Sequence, residues 1–253
     1  MTAPAIHAVL ALAAACVCLG DDDHSRYGSV SPERYLTGRF SPNRHEYFVC
    51  LNDLGIPTSP GRHYLRREAA AALRDLYRDF RKAHPTAPFW VQSSTRTYED
   101  QKYIWEAKWN GTVMVNGKRL NAVKDPTARA REILAYSSMP GTSRHHWGTD
   151  VDFNVLNDAY FTSGGGRLLY LWLRGNAERY GFCQPYTAGR RSGYREEKWH
   201  WSYLPLARRF LADWNERYRT NPRAFISEGS FSAAAQVGGF AAEYVNSISD
   251  ECR

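Results

Sequence analysis

No apolar run in this chain is long enough to cross a bilayer. The longest, Ile6 to Leu19, falls short of the roughly 20 residues that a spanning helix needs. Asp21, Asp22 and Asp23 end it abruptly, as they would a signal-peptide core, although no Lys or Arg precedes it. Cysteine is also scarce. Of five, Cys16 and Cys18 close the apolar run, leaving Cys50, Cys183 and Cys252. An odd number allows at most one disulfide and leaves one thiol free, and the pairing stays open. Zinc-finger spacing and RNA-binding signatures are absent, so no nucleic-acid partner is expected. There are no internal repeats. Strands and helices do not alternate regularly, which argues against a doubly wound parallel sheet.

Acidic residues are the minority charge. Lys and Arg total 33 against 26 Asp and Glu, a net charge of +7, which favours anionic partners such as cell-wall polymer or acidic lipid. The 253 residues, 43% of them hydrophobic, suffice for one sizeable core. The organisation expected is a signal peptide at 1–20, a polar linker at 21–33, a catalytic domain at 34–220 and a Ser/Ala/Gly-rich tail at 221–253. The tail is expected to be mobile or to form one weak helix near Ser232 to Val245. Leu12-Ala13-Ala14-Ala15-Cys16 loosely resembles a lipoprotein cleavage site with its leucine one place early, so a lipid anchor remains an alternative to simple cleavage.

Tyr64 to Ala83 reads as a helix, its apolar stripe running from Leu65 through Leu73 and Leu76 to Phe80, with Pro85 as the stop. Thr97 caps a second helix from Tyr98 to about Trp109, and Asp125-Pro126 opens a third to about Tyr136. A hairpin around Asn116-Gly117 is expected within Val113 to Val123. Strands are expected at Phe89 to Val91, within Trp147 to Phe153, and at Trp199 to Tyr203. Gly164-Gly165-Gly166 reads as a flexible turn before a helix from Arg167 to Tyr180, and Pro205 to Tyr218 as the last amphipathic helix. The class is α+β, a small antiparallel sheet flanked by helices.

Two short stretches hold the chemistry, Ser143 to Phe153 (SRHHWGTDVDF) and Glu196 to Trp201 (EEKWHW). A catalytic zinc site takes three ligands from His, Asp and Glu and keeps one position open. His145, Asp152 and His200 fill three places, and Glu197 remains as the base for the attacking water. On a strand from Thr149, Asp150 and Asp152 share a face, which makes Asp150 a group able to orient a ligand imidazole.

The ordered set Ser143-x-His145-x-x-Gly148-x-x-x-Asp152 and Glu197-x-x-His200-Trp201, with Arg96-Thr97-x-x-x-Gln101 upstream, resembles the VanY-type D-alanyl-D-alanine carboxypeptidases of the wider LAS metallopeptidase group. The resemblance covers roughly Phe89 to Tyr203. It implies one Zn2+ per chain on His145, Asp152 and His200, and Glu197 as base. It implies Arg96 as the cation that holds substrate and offsets oxyanion charge, Gln101 and Ser143 near the substrate, and Trp201 lining the pocket. The Ser-x-His spacing favours His145 over His146, and the offset to His200 favours Glu197 over Glu196. The family usually has Ala where this chain has Asp150. The expectation is an exported D,D-carboxypeptidase acting on peptidoglycan stem peptides. An L,D-carboxypeptidase on tetrapeptide stems is the alternative. A non-catalytic cell-wall-binding or Hedgehog-like signalling module ranks third, because a structural zinc site needs no Glu197.

Overall fold

The structure, a computed structural model, describes residues 23–253. The expected leader and the lipidation alternative at Cys16 lie outside the described residues. Two short helices, α1 (Asp23–Tyr27) and α2 (Pro32–Leu36), come first. They fall in or next to the stretch expected to be a polar tether, yet Tyr27, Tyr35 and Leu36 are fully buried. The Tyr27 ring packs on Tyr35 and Phe210, and its hydroxyl donates to Asp213. A phenol buries its ring once its hydroxyl has a partner, so one tyrosine draws a polar segment into the core.

β1 (Phe48–Cys50) and β2 (Tyr64–Arg66) pair antiparallel, and α3 (Arg67–Ala83) follows at once. The helix buries Ala69, Leu73, Leu76 and Phe80 as its periodicity predicts, but it begins at Arg67 rather than Tyr64. The three residues before it are held by β1, and the Arg66 amide donates to the Gly148 carbonyl at 2.9 Å. Pairing with distant segments overrides the local helical pattern.

β3 (Val91–Ser93) leads to α4 (Tyr98–Trp109), whose first turn is closed by a capping box between Thr97 and Asp100. The expected hairpin reduces to one antiparallel bridge, Val115 to Lys118, around Asn116 and Gly117, both at positive φ. α5 (Pro126–Leu134) starts under an Asp125 cap, and β4 (Asp150–Phe153) follows. α6 (Gly164–Asn176) absorbs the glycine triplet as its first turn rather than as a loop. A Cβ on Gly166 would stand 2.2 Å from the Tyr160 carbonyl oxygen and one on Gly165 2.6 Å from the Pro88 ring, so these two glycines serve close packing. β5 (Phe182–Cys183), β6 (His200–Tyr203) and α7 (Leu204–Thr220) complete the main body.

β3, β4, β6 and β5 form, in that order, one antiparallel sheet. One face carries Val91, Val151, Phe153 and Trp201 into a core shared with α3 and α6. The opposite face carries the polar residues described below. The architecture is the expected α+β fold, with a small antiparallel sheet flanked by helices.

The stretch 221–253 is packed rather than loose. α8 (Pro222–Phe225), α9 (Ala234–Val237) and α10 (Ala241–Asn246) bury Phe225, Val237, Ala241 and Val245. Cys252 is disulfide-bonded to Cys183 at the end of β5, and among the described residues Cys50 is the free thiol, and it is buried. The bridge closes a loop with a sequence separation of 69, which restricts the unfolded chain by up to about 4 kcal/mol on a chain-entropy argument. Cys252→Ser is therefore expected to lower unfolding free energy by about 2–4 kcal/mol, read by urea denaturation. A reductant should bring the parent protein to the same midpoint as the variant.

Candidate metal centre

The register of the sheet builds half of the site. Asp152 of β4 stands opposite His200 of β6, and Asp150 opposite Ser202. Opposed residues share a face, so all four converge on the side of the sheet away from the apolar core. His145 arrives from a single 3-10 turn, Arg144–Trp147, which ends at Gly148 with φ 74. A Cβ on Gly148 would meet the Phe48 ring at 2.4 Å, so glycine is required for the reversal that carries His145 back over β4.

Each imidazole is held by one nitrogen and offers the other. His145 Nδ1 donates to the Ser94 carbonyl at 2.8 Å. Its buried Nε2 has no hydrogen-bond partner and lies 3.3 Å from Asp152 Oδ2. His200 Nε2 donates to Asp150 Oδ1 at 2.9 Å, which turns Nδ1 to within 3.0 Å of Asp152 Oδ1. That oxygen is also buried and lacks a partner in hydrogen-bonding geometry. The donor atoms of His145, Asp152 and His200 lie within 4.8 Å of one another. Two imidazole nitrogens and a carboxylate, buried and convergent, are the donor set of a divalent cation of zinc's type.

The neighbouring ambiguities resolve by contact. His146 has both ring nitrogens engaged, Nδ1 with the Arg96 carbonyl at 2.7 Å and Nε2 with the Gly141 amide at 3.2 Å. It has no free donor for a metal. Glu196 pairs with Lys198 at 3.5 Å, whereas Glu197 is buried with Oε2 3.5 Å from His200 Nδ1. Its backbone is fixed independently: the Glu197 amide donates to the Tyr186 carbonyl at 2.9 Å, and Gln184 Nε2 donates to the Glu197 carbonyl at 3.1 Å.

The protein's own charges set the protonation tendencies. Burial pushes Glu197 up to about 8 despite the nearby His200 imidazole, a range suited to accepting and returning a proton near neutrality. Burial and the Arg96 charge hold His145 below its ordinary value, which keeps its lone pair available. Burial alone would raise Asp152, but the His145 and His200 contacts outweigh it and hold the carboxyl well below the usual range. Asp150 is likewise drawn down against its burial, first by the Arg144 charge and then by His200. Arg144 Nε lies 3.2 Å from Asp150 Oδ1, and its Nη2 donates to Ser202 Oγ at 2.9 Å. Ser202 Oγ in turn donates to Asp150 Oδ2 at 3.0 Å.

Around this centre lie a small pocket of about 30 Å³ and a groove of about 540 Å³. Gln101 and Ser143 line the cavity with His145, Glu197 and His200. Gln101 Nε2 donates to the Ser138 carbonyl at 2.7 Å, while Gln101 Oε1 and Ser143 Oγ are buried without partners. Arg96 lines both spaces, with Nη1 3.9 Å from Asp152 Oδ2. Trp201 is a correction. Instead of lining the pocket it packs in the core with its Nε1 on the Lys198 carbonyl at 3.1 Å, because strand alternation turns it away from His200. Trp199 is the tryptophan that borders the groove.

Sequence reasoning passed over two residues. Arg144, buried beside Asp150, carried no motif signal. Lys108 lines the groove with Arg96 and Glu197, and here a signal existed: Gln101, Ile104 and Lys108 share one face of α4 at helical spacing.

The model of the family described as "VanY: D-alanyl-D-alanine carboxypeptidase" matches residues 62–206. A D-alanyl-D-alanine carboxypeptidase of Enterococcus faecalis (strain ATCC 700802 / V583) is 31% identical over 136 residues, 53% of this chain and 46% of that protein. The match thus spans less than half the length of that relative. Among solved structures, the vancomycin-resistance D,D-pentapeptidase VanY in complex with Zn(II) is 26% identical. That alignment covers 61% of this chain and 82% of the other, with a TM-score of 0.45. The LD-carboxypeptidase LdcB is 20% identical over 86% of this chain and 88% of its own, with a TM-score of 0.48.

Proposed function

The chain belongs to the VanY family of D-alanyl-D-alanine carboxypeptidases, and on that premise we propose that it is an exported, zinc-dependent D,D-carboxypeptidase. Its substrate in this reading is the peptidoglycan stem peptide, from which it removes the terminal D-Ala. The observation that carries the reading is the convergence of three buried donors, His145 Nε2, Asp152 and His200 Nδ1, beside a buried Glu197 that is not itself one of them.

Zinc held by those donors would polarise the scissile carbonyl and acidify a water. Glu197 accepts the proton from that water as it attacks and returns it to the departing amine. Arg96 offsets the negative charge that grows on the carbonyl oxygen. The small pocket lies beside the three donors, where the terminal residue would enter. Inside it, Ser143 Oγ is a free hydroxyl donor for the terminal carboxylate, and Gln101 borders the same space.

Export is supported by the leader-like residues 1–20 and by the Cys183–Cys252 disulfide, which needs an oxidising compartment to form. Among the described residues, no helix is long and apolar enough to cross a membrane. Purified protein is expected to contain one zinc and to release D-Ala from a pentapeptide stem, followed by mass spectrometry. Chelation should abolish the release and added zinc should restore it. Release from tetrapeptide alone would transfer the assignment to an L,D-carboxypeptidase. Full activity after complete chelation would remove the metal from the mechanism.

A further inference from the structure

The groove in front of the metal centre carries two charges that the chemistry above does not use. Lys108, in the last turn of α4, and Asp158, a few residues beyond β4, both line it. Lys108 Nζ donates to the Ser137 hydroxyl and has no ion-pair partner among the described residues. Asp158 Oδ1 accepts from the Lys198 backbone amide at 2.9 Å, and Asp158 too lacks an ion-pair partner among the described residues. Exposed charges often stand alone at little cost because water solvates them. These two are partly withdrawn from water: burial, with Arg96 adding to it, pulls the Lys108 ammonium down to about 8, and burial pushes the Asp158 carboxyl up. A desolvated ammonium held by one hydroxyl is unfavourable until an anion completes it.

We propose that Lys108 and Asp158 read a zwitterionic amino-acid head in the acyl part of the substrate, Lys108 taking its carboxylate and Asp158 its ammonium. This rests on the peptidase reading of the site. With the leaving residue directed towards the small pocket, the rest of the peptide has the groove to lie in. A stem peptide carries a diamino acid in that part. A diamino dicarboxylic acid presents ammonium and carboxylate on one carbon, whereas a diamino monocarboxylic acid presents ammonium alone. Only the first answers both side chains.

The test compares pentapeptides that differ only at the third position, with meso-diaminopimelate, lysine or alanine. The parent enzyme is expected to favour the diaminopimelate peptide over the lysine peptide by about tenfold or more in kcat/KM, the scale of one charge-assisted hydrogen bond. Lys108→Met should remove most of that preference. Asp158→Asn should lower both amine-bearing peptides relative to the alanine peptide. These are ratios within one preparation, so a smaller folded fraction does not move them. Equal kcat/KM for the three peptides in the parent, or a diaminopimelate preference that survives Lys108→Met, overturns the assignment. Calorimetric binding of the same peptides to the zinc-loaded Glu197→Gln protein repeats the comparison without turnover. The expected affinity order there, with no hydrolysis by the parent, upholds the groove and sinks the peptidase. Equal affinities sink the groove whatever the turnover.

Discussion

Glu197→Gln is expected to lower kcat by about a thousandfold or more, within the range that a positioned general base supplies, while the protein keeps its zinc. Both halves follow from how the side chain is held. Glu197 is not among the three convergent donors, and neither group that orients the imidazoles, the Ser94 carbonyl or Asp150, touches it. Removing its charge therefore leaves the donor geometry standing. The Glu197 backbone is pinned by Tyr186 and Gln184 through main-chain contacts that glutamine preserves, and glutamine is nearly isosteric. What is lost is the ability to take a proton. Metal content by atomic absorption and single-turnover hydrolysis of a pentapeptide measure the two halves separately. A variant with zinc and near-parental turnover would place the base on another residue. A variant without zinc would make Glu197 a ligand.

The same contacts explain how much of the site was legible in the chain. The metal donors were, because their signal is local: His145 and Asp152 bracket one glycine, and Glu197 and His200 sit three residues apart. The sheet then only has to pair β4 with β6 in the register that sets Asp152 against His200. Helices α4 and α5 were legible for a similar reason, since Thr97 and Asp125 declare their starts through side-chain caps. The start of α3 was not, because Tyr64 to Arg66 has good helical periodicity and is claimed by β1 through contacts no short window contains. The tail was misleading for the opposite reason. Its small residues suggest disorder, but a few well-spaced apolar side chains and one disulfide dock it against β5 and α7. Trp201 shows a motif and a period in conflict. The family pattern favoured the pocket and the strand's alternation favoured the core, and the alternation prevailed.

Asp150 stands where the resemblance implies alanine, and its replacement separates fold from function. Arg144 and Asp150 form a buried ion pair, 1% and 0% exposed. Asp150→Ala would leave the guanidinium without its counter-charge and is expected to cost about 3–5 kcal/mol of unfolding free energy. It would also take away the acceptor that holds His200 Nε2 and aims Nδ1 at the metal, for an expected 10- to 100-fold loss of zinc affinity, as is typical when the partner of a ligand imidazole is removed. Adding Arg144→Met should recover most of the stability, because exchanging a buried pair for apolar side chains of similar volume is close to neutral. It should not recover zinc affinity, since His200 still lacks its acceptor. Urea denaturation reads the first quantity and competition with a zinc-binding dye the second. If the double variant regains parental zinc affinity, Asp150 serves only to neutralise Arg144. If stability returns and affinity does not, Asp150 positions the imidazole, and a chain with alanine at this place must orient its second histidine by another contact.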